Sequence, residues 1–167
     1  MGNKGFSIAE LLVSLGIALI VFAIIGGTYV TTQRLWRGGF SQITFQSLGR
    51  VSLDKICRSM RSATGATILD SGNRVRFVTD PNRTPQDASD DITREYYVSG
   101  TDIIYDPNVS VSGDQVTLLR NVNAEPGIPF FQLSGRLAVI TFKVFDNNAF
   151  YGAHWASMST SVTMRNA

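Results

Sequence analysis

One apolar run constrains the fold of this chain more than any other feature of its sequence. From Phe6 to Val30 the chain carries a single charged side chain, Glu10. The 20 residues from Leu11 to Val30 suffice, as an α-helix, to cross the ~30 Å hydrocarbon core of a membrane. Hydrophobic residues make up 44% of the whole chain and charged residues 17%, which excludes both a disordered chain and a polytopic membrane protein. We therefore expect one membrane helix and one globular head.

The residues that flank the run indicate its orientation. Lys4 precedes it, and a positive residue before an apolar segment is typical of a secretory signal or a signal anchor. Such a residue stays on the cytoplasmic side, so the rest of the chain would point outward. The segment from Thr31 to Trp36 contains no small-x-small cleavage site, and we do not expect the whole run to be removed.

Glu10 is the anomaly within the run, because a carboxylate at the edge of a membrane helix is costly without water or a partner. Gly5-Phe6 is a small-to-aromatic junction just before the run, and a cut there would give Phe6 a new α-amine. Glu10 lies about one helical turn beyond that amine. The two charges would attract strongly in a low dielectric, and the amine could equally come from a neighbouring subunit. The alternative is a Glu10 that is simply hydrated at the level of the lipid headgroups.

The segment from Gly5 to Val13 resembles the class III signal of type IV pilins and the related pseudopilins. The shared features are a short basic leader, Gly before the cut, Phe after it, Glu at the fifth new position and an unbroken apolar helix. The resemblance implies cleavage between Gly5 and Phe6 by a prepilin peptidase, N-methylation of Phe6, and a role for Glu10 in subunit registry and assembly. Residues 1–5 would be the leader peptide, and residues 6–30 the transmembrane and filament-core half of a long helix.

Helical periodicity continues beyond the apolar run and predicts an amphipathic second half of the helix over residues 31–64. Apolar side chains step by three and four along it, at Trp36, Phe40 and Ile43 and then at Phe45, Leu48, Ser52, Ile56, Met60 and Ala63. The basic side chains mostly fall off this stripe, which is typical of a solvated helix face, with a polyanion site as the alternative. These side chains are Arg50, Lys55, Arg58 and Arg61.

After Gly65 the period changes from 3.6 to about 2, which predicts a β-rich globular head over residues 65–167. Hairpins are expected around the turns at residues 70–73 and 99–102, and further strands at residues 115–121, 137–145 and 155–165. Hairpin spacing favours an antiparallel sheet, and the long helix would cover one face of it. The expected fold class is therefore α+β and pilin-like, with a long N-terminal helix packed on a mainly antiparallel sheet.

The head further resembles the PilW/PulJ-type branch of minor pilins and pseudopilins, through residues 92–105, 118–122 and 161–166. Cys57 is the only cysteine, so the disulfide loop of many major pilins is absent. A lone cysteine in a helical pattern is most often a small buried residue.

This resemblance implies a minor structural subunit that helps to prime or cap a type IV pilus or a type II secretion pseudopilus. Its partners would be the prepilin peptidase, other minor and major pilins or pseudopilins, and an inner-membrane assembly platform with a separate ATPase. The subunit would reside in the bacterial inner membrane with a single span and its head in the periplasm or outside. It would then enter the pilus or pseudopilus, at the tip in this branch.

Residues that carry chemistry are sparse in this sequence. His154 is the only histidine, and neither CxxC or HExxH spacing nor a P-loop occurs. We therefore expect no enzyme, catalytic residue, metal or cofactor. The loop between residues 79 and 91 is polar, and although oxygen ligands suit Ca²⁺, a solvated acidic loop is the favoured interpretation because the spacing is not that of an EF-hand. Its acidic residues are Asp80, Asp87, Asp90 and Asp91.

Charge and aromatic residues bear on the remaining alternative, a ligand-binding pilin that acts as an adhesin or in DNA uptake. Residues 1–62 carry a net charge of +5 and residues 63–167 a net charge of −3, without a long basic tract. Nucleic-acid binding is therefore not the default, since it needs a basic, aromatic-rich groove. Adjacent side chains of a strand alternate in direction, so one ring of Phe130-Phe131 is predicted to face outward and to meet another subunit.

Overall fold

The computed structural model describes residues 7–84, 88–145 and 155–165. It shows an α+β protein in which one long N-terminal helix, α1 (Ile8–Arg61), precedes nine described strands. The strands are β1 (Ala63–Leu69), β2 (Arg74–Thr79), β3 (Ile92–Ser99), β4 (Asp102–Asp106), β5 (Val116–Leu119), β6 (Val122–Asn123), β7 (Phe131–Ser134), β8 (Leu137–Phe145) and β9 (Trp155–Thr163). Short 3₁₀ turns lie at Asp70–Gly72 and Ala88–Asp90. The chain divides into two compact units, one that ends at Phe40 and one that begins at Ser41.

The first unit is the apolar part of α1. Every large apolar side chain from Ile8 to Phe40 is exposed. Hydroxyl groups inside this stretch are satisfied by the helix itself: Thr28 and Thr31 each donate to a carbonyl four residues earlier, at 2.9 Å. The segment Ile8–Arg37 is long and apolar enough to cross a membrane, as the sequence predicts.

The second unit begins with the remainder of α1, which buries one stripe against the strands. Phe45 and Met60 lie on this stripe as predicted, whereas Leu48 was wrongly assigned to it and is 54% exposed. Gly49 is buried at the position on the stripe where the periodicity predicts Leu48. The side chains of Met158 and Val144 lie directly against the backbone of Gly49. The buried helical residues are Phe45, Gly49, Ser52, Leu53, Ile56, Cys57 and Met60.

The change from helix to strand falls at Ser62, slightly before the predicted border at Gly65. Ala63 is fully buried and already pairs with Thr79 of β2, with an irregularity between Ala63 and Gly65. The first sheet then follows the order β1-β2-β3-β4-β5, and all neighbours are antiparallel. Both predicted hairpins, β1-β2 and β3-β4, are therefore confirmed.

The second sheet is built around β8. β9 pairs with β8 at all nine positions from Leu137 to Phe145. β6 and β7 pair with opposite ends of β8, at residues 143–144 and 137–140, and therefore share its other edge. The predicted alternation of β8 is confirmed, because one face of the strand is buried in the core and consists of Ala138, Ile140, Phe142 and Val144.

The presence of two sheets corrects the expectation of a single one. The strand predicted over residues 115–121 ends at Leu119, because Asn121 has φ 58°, a left-handed conformation that asparagine tolerates better than most residues. Asn121 accepts a hydrogen bond from the Phe145 N–H of β8 at 2.9 Å, while the Val122 N–H donates to Thr101 at 2.8 Å. This bend thus carries the chain from the first sheet to the second.

Phe130 and Phe131 correct another expectation, since both rings are buried, at 4% and 2% exposure. β7 begins at Phe131, so Phe130 lies just outside the strand and the alternation rule does not apply to the pair. The Phe130 carbonyl instead accepts the Thr141 N–H of β8 at 2.9 Å. Neither ring is available to another subunit in this structure.

Candidate functional site

The N-terminus of α1 holds the only predicted assembly residue that the structure describes, Glu10. The Ser7 N–H donates to Glu10 Oε2 at 3.1 Å, and the Ala9 N–H donates to Ser7 Oγ at 3.3 Å. Ser7 is therefore the N-cap of the helix and Glu10 its N3 residue, in a variant of the capping box in which the Ser7 hydroxyl accepts from the N2 and not the N3 N–H. Two of the backbone N–H groups that a helix start leaves unpaired are satisfied in this way.

This capping box gives Glu10 a structural role that the sequence interpretation missed, although the Ser-x-x-Glu spacing from Ser7 to Glu10 was legible. A carboxylate in the first turn also complements the positive end of the helix dipole. The proposed cleavage site, Gly5 and Phe6, lies outside the described residues. Pairing between Glu10 and a Phe6 amine therefore stays a prediction.

An aromatic face lies near the end of the first unit. The rings of Trp36 and Phe40 are 5.2 Å apart and tilted by 35°. Together with Tyr29, Gln33 and neighbouring side chains they border a shallow recess of about 400 Å³. Trp36 and Phe40 are 66% and 59% exposed, so this face is an exposed apolar patch of the kind that is typical of interaction surfaces.

Tyr96 is the most deeply buried tyrosine among the residues that the structure describes. Its ring stacks between those of Phe77 and Tyr105, with centroid distances of 5.6 and 4.7 Å. Its hydroxyl lies 2.7 Å from Ser59 Oγ on α1. Burial raises the pKa of Tyr96 to about 12 because the tyrosinate would lose its hydration, and the Ser59 hydrogen bond opposes this rise only in part. Tyr96 therefore ties α1 to the first sheet as a neutral phenol.

Glu95, the residue before Tyr96 on β3, forms a charged cluster with two arginines of β2. It is 3% exposed and accepts hydrogen bonds from Arg74 Nη1 at 2.7 Å and from Arg76 Nη2 at 2.9 Å. Arg74 also pairs with Asp70 in the β1-β2 turn at 2.7 Å. A buried carboxylate is tolerable here because two guanidinium groups satisfy it. The sequence interpretation placed the two arginines in one hairpin and Glu95 in another, and it predicted neither the pairing of these strands nor the burial of Glu95.

A second cluster lies on the other sheet and was also not predicted. Glu125 accepts hydrogen bonds from Lys143 Nζ at 2.9 Å and from Ser157 Oγ at 2.8 Å. Lys143 Nζ also lies 4.6 Å from the ring centroid of Trp155, in a cation–π contact. The hydrogen bond from Lys143, with that from Ser157, lowers the pKa of the Glu125 carboxyl. These contacts fasten β9 to the β6–β7 connection.

Three of the four acidic residues of the polar loop converge, namely Asp80, Asp90 and Asp91, whose carboxylate oxygens lie within 4.8 Å of one another. The Thr84 hydroxyl donates to Asp90 at 3.3 Å. Asp87 lies outside the described residues. Ca²⁺ takes six to eight oxygen ligands, and one oxygen from each of three carboxylates supplies fewer. The prediction of a solvated acidic loop fits the exposed Asp91 but not Asp80, whose Oδ1 is buried without a hydrogen-bond partner among the described residues.

The other residues with potential chemistry offer no catalytic geometry in the described part of the chain. Cys57 is buried, as predicted, with its Sγ 3.8 Å from Thr160 Oγ1. His154 and the aromatic residues Phe150 and Tyr151 lie outside the described residues. The candidate functional features are thus a capped apolar helix and a head stabilised by polar clusters.

Comparisons with known proteins identify no relative of this chain. No protein-family model matches its sequence, no curated protein is significantly similar to it, and no solved structure significantly matches its fold.

Proposed function

We propose that this chain is a minor type IV pilin or pseudopilin, a structural subunit that assembles through its N-terminal helix after cleavage between Gly5 and Phe6. The α+β architecture, in which a long apolar helix leads into an antiparallel head, is compatible with a pilin-like fold. The segment from Gly5 to Val13 supports the class of protein. The head segments that resemble the PilW/PulJ-type branch support the minor subunit.

The observation that carries this proposal is that every large apolar side chain from Ile8 to Phe40 is exposed. Burying one such side chain is worth about 1.5–3 kcal/mol, so a surface of this size needs lipid or other helices around it. A single-span anchor satisfies this need before assembly. In a filament, the same surface would pack against the equivalent helices of neighbouring subunits.

The first test concerns the processing of the N-terminus in cells. Intact-mass and N-terminal analysis of the mature protein should show a chain that begins at a methylated Phe6. The control is Gly5→Leu, in which a bulky residue before the cut should block cleavage and leave the leader in place. A wild-type protein that keeps residues 1–5 contradicts the proposal.

The second test separates the two roles that Glu10 can have. Glu10→Gln keeps the capping geometry, because glutamine also serves at the N3 position of a capping box, but it removes the charge. Glu10→Ala removes both. If the carboxylate pairs with a Phe6 amine, both variants should remain in the membrane and fail to assemble. Assembly by Glu10→Gln at the wild-type level would show that capping alone explains the residue.

A further inference from the structure

Four arginines converge at a cleft beside the C-terminus of α1. Arg58 and Arg61 come from the last turn of the helix, Arg83 from the β2–β3 connection, and Arg165 from the residues after β9. The cleft has a volume of about 610 Å³, within the range of small-molecule sites, and its wall also carries Asp80. A backbone hydrogen bond from Arg165 N to Arg61 O, 3.2 Å long, joins two of its sides.

The helix dipole accounts for only part of this convergence. Cations in the last turn of a helix complement its negative end, which gives Arg58 and Arg61 a structural reason to be there. Arg83 and Arg165 belong to other elements and lack that reason. Arg83 moreover adopts φ 57°, a left-handed conformation that is unfavourable for a residue with a side chain.

Three of the four arginines of the cleft form no ion pair with the described residues. Arg58 pairs with Asp54 at 2.8 Å. Among the ion pairs formed within residues 7–84, 88–145 and 155–165, none involves Arg61, Arg83 or Arg165. Asp80 is the one acidic group of the wall, and its Oδ1 is buried without a hydrogen-bond partner among these residues. The carboxylates of Asp90 and Asp91 lie within 4.8 Å of that of Asp80, beside the cleft. Because these carboxylates form no ion pair with the arginines of the cleft, the guanidinium groups of Arg61, Arg83 and Arg165 are left without an ion-pair partner among the described residues.

We propose that this arginine cleft, formed by Arg58, Arg61, Arg83 and Arg165, binds a compact oxyanion with two or more negative charges, of the phosphate or polycarboxylate type. A guanidinium group presents paired N–H donors that match two oxygens of such a group. Several guanidinium groups around one cleft favour a ligand whose anionic oxygens are clustered. A monovalent anion would leave most of these donors unpaired. The inference stands apart from the assembly role, since all four arginines belong to the second unit and none to the apolar first unit.

Isothermal titration calorimetry of the full-length protein in nonionic detergent tests this proposal. The probes are inorganic pyrophosphate and, separately, citrate, each at constant ionic strength because screening weakens exposed charge interactions. The test variant is Arg83→Gln/Arg165→Gln. The matched control is Arg50→Gln/Arg136→Gln, which removes the same charge from two exposed arginines outside the cleft. The thermal unfolding of both variants is recorded alongside.

The wild type should bind at least one probe saturably at one site per chain. The cleft variant should bind at least tenfold more weakly, and the control within twofold of the wild type. Pyrophosphate binding alone would assign a phosphate ligand, citrate binding alone a polycarboxylate, and binding of both the broader class. If the double variant does not fold, either single substitution should still weaken binding about threefold. Absence of saturable binding, or equal weakening in the control, overturns the proposal.

Discussion

The two units of this chain treat the same kind of side chain in opposite ways. In the first unit Leu15 and Ile17 are 54% and 59% exposed, whereas in the second unit Ile56 and Met60, on the same α1, are fully buried. The residues differ little in chemistry. What differs is whether the chain itself supplies a partner for the helix.

This difference shows how one helix can serve two purposes. Its second part owes its stability to tertiary packing on two antiparallel sheets, as helices of folded proteins usually do. Its first part is left with an apolar surface on every side, which is characteristic of a segment meant for lipid or for other helices. The stability of the head should therefore be insensitive to substitutions in the first part, and the following predictions use that contrast.

The largest expected effect is the difference in unfolding free energy between Ile56→Ala and Leu15→Ala. Ile56→Ala opens a cavity beneath a fully buried side chain and should reduce the free energy of unfolding of the head by about 2–5 kcal/mol. Leu15→Ala should leave it unchanged, because Leu15 contributes nothing to the head core. Urea unfolding of the full chain in detergent measures both. Similar losses in the two variants would contradict the contrast between the units.

A second pair of variants tests the close approach of the strands to the helix. A Cβ at Gly49 would meet Met158 and, at 3.2 Å, Val144, whereas nothing lies within 4 Å of one at Gly39. Gly49→Leu should therefore overpack the core and cost about 1–3 kcal/mol. Gly39→Leu should change the unfolding free energy of the head by less than about 0.5 kcal/mol. Chemical unfolding would refute this if Gly49→Leu matched the wild type.

Tyr96 gives the third prediction, an alkaline loss of stability. Its pKa rises from 10 to about 12 on folding, so above pH 10 the unfolded chain loses a proton that the folded chain keeps. Stability present below pH 10 is therefore lost as the pH rises toward 12, on the order of 2 kcal/mol. Tyr96→Phe should lack this component and, without the Ser59 hydrogen bond, should cost about 1 kcal/mol at neutral pH. Parallel alkaline profiles of the two proteins would argue against it.

The smallest effect is expected at the cluster of Glu125. Its lowered pKa means that its stabilising contribution is present above its ordinary value of 4.5 and is lost as the pH falls below it. Glu125→Gln should lower the Tm of the head slightly at pH 7 and not at pH 3. Thermal scans at the two pH values test this, and an equal difference at both would show that charge does not matter there.

Regular patterns made part of this fold predictable from sequence. The alternation over residues 137–145 specified the buried face of β8, and the two turn-bounded hairpins were located correctly. The errors arose where one residue departed from the pattern. Asn121 divides a predicted strand, Gly49 replaces Leu48 on the buried stripe, and Phe130 lies one residue before β7. Each depends on local geometry that periodicity does not contain.

The candidate sites were predictable to different degrees. The capping box of Ser7 and Glu10 is a short-range motif, and its Ser-x-x-Glu spacing can be recognised in the sequence. The arginine cleft could not be predicted from the sequence, because Arg61, Arg83 and Arg165 are far apart in sequence and meet only after both sheets have formed. Long-range convergence of this kind follows from topology.

The position of β9 within the core has a consequence for biogenesis. Met158, Val162 and Met164 complete a core that begins at Phe45, roughly 120 residues earlier. At translation speeds of about 5–20 residues per second, some 6–24 s separate the emergence of its first and last members. The apolar helix, by contrast, is complete early and can engage a membrane at once. With the proposed membrane anchor, insertion would precede folding of the head, and a nascent chain stalled before residue 158 would be anchored but still accessible to proteases.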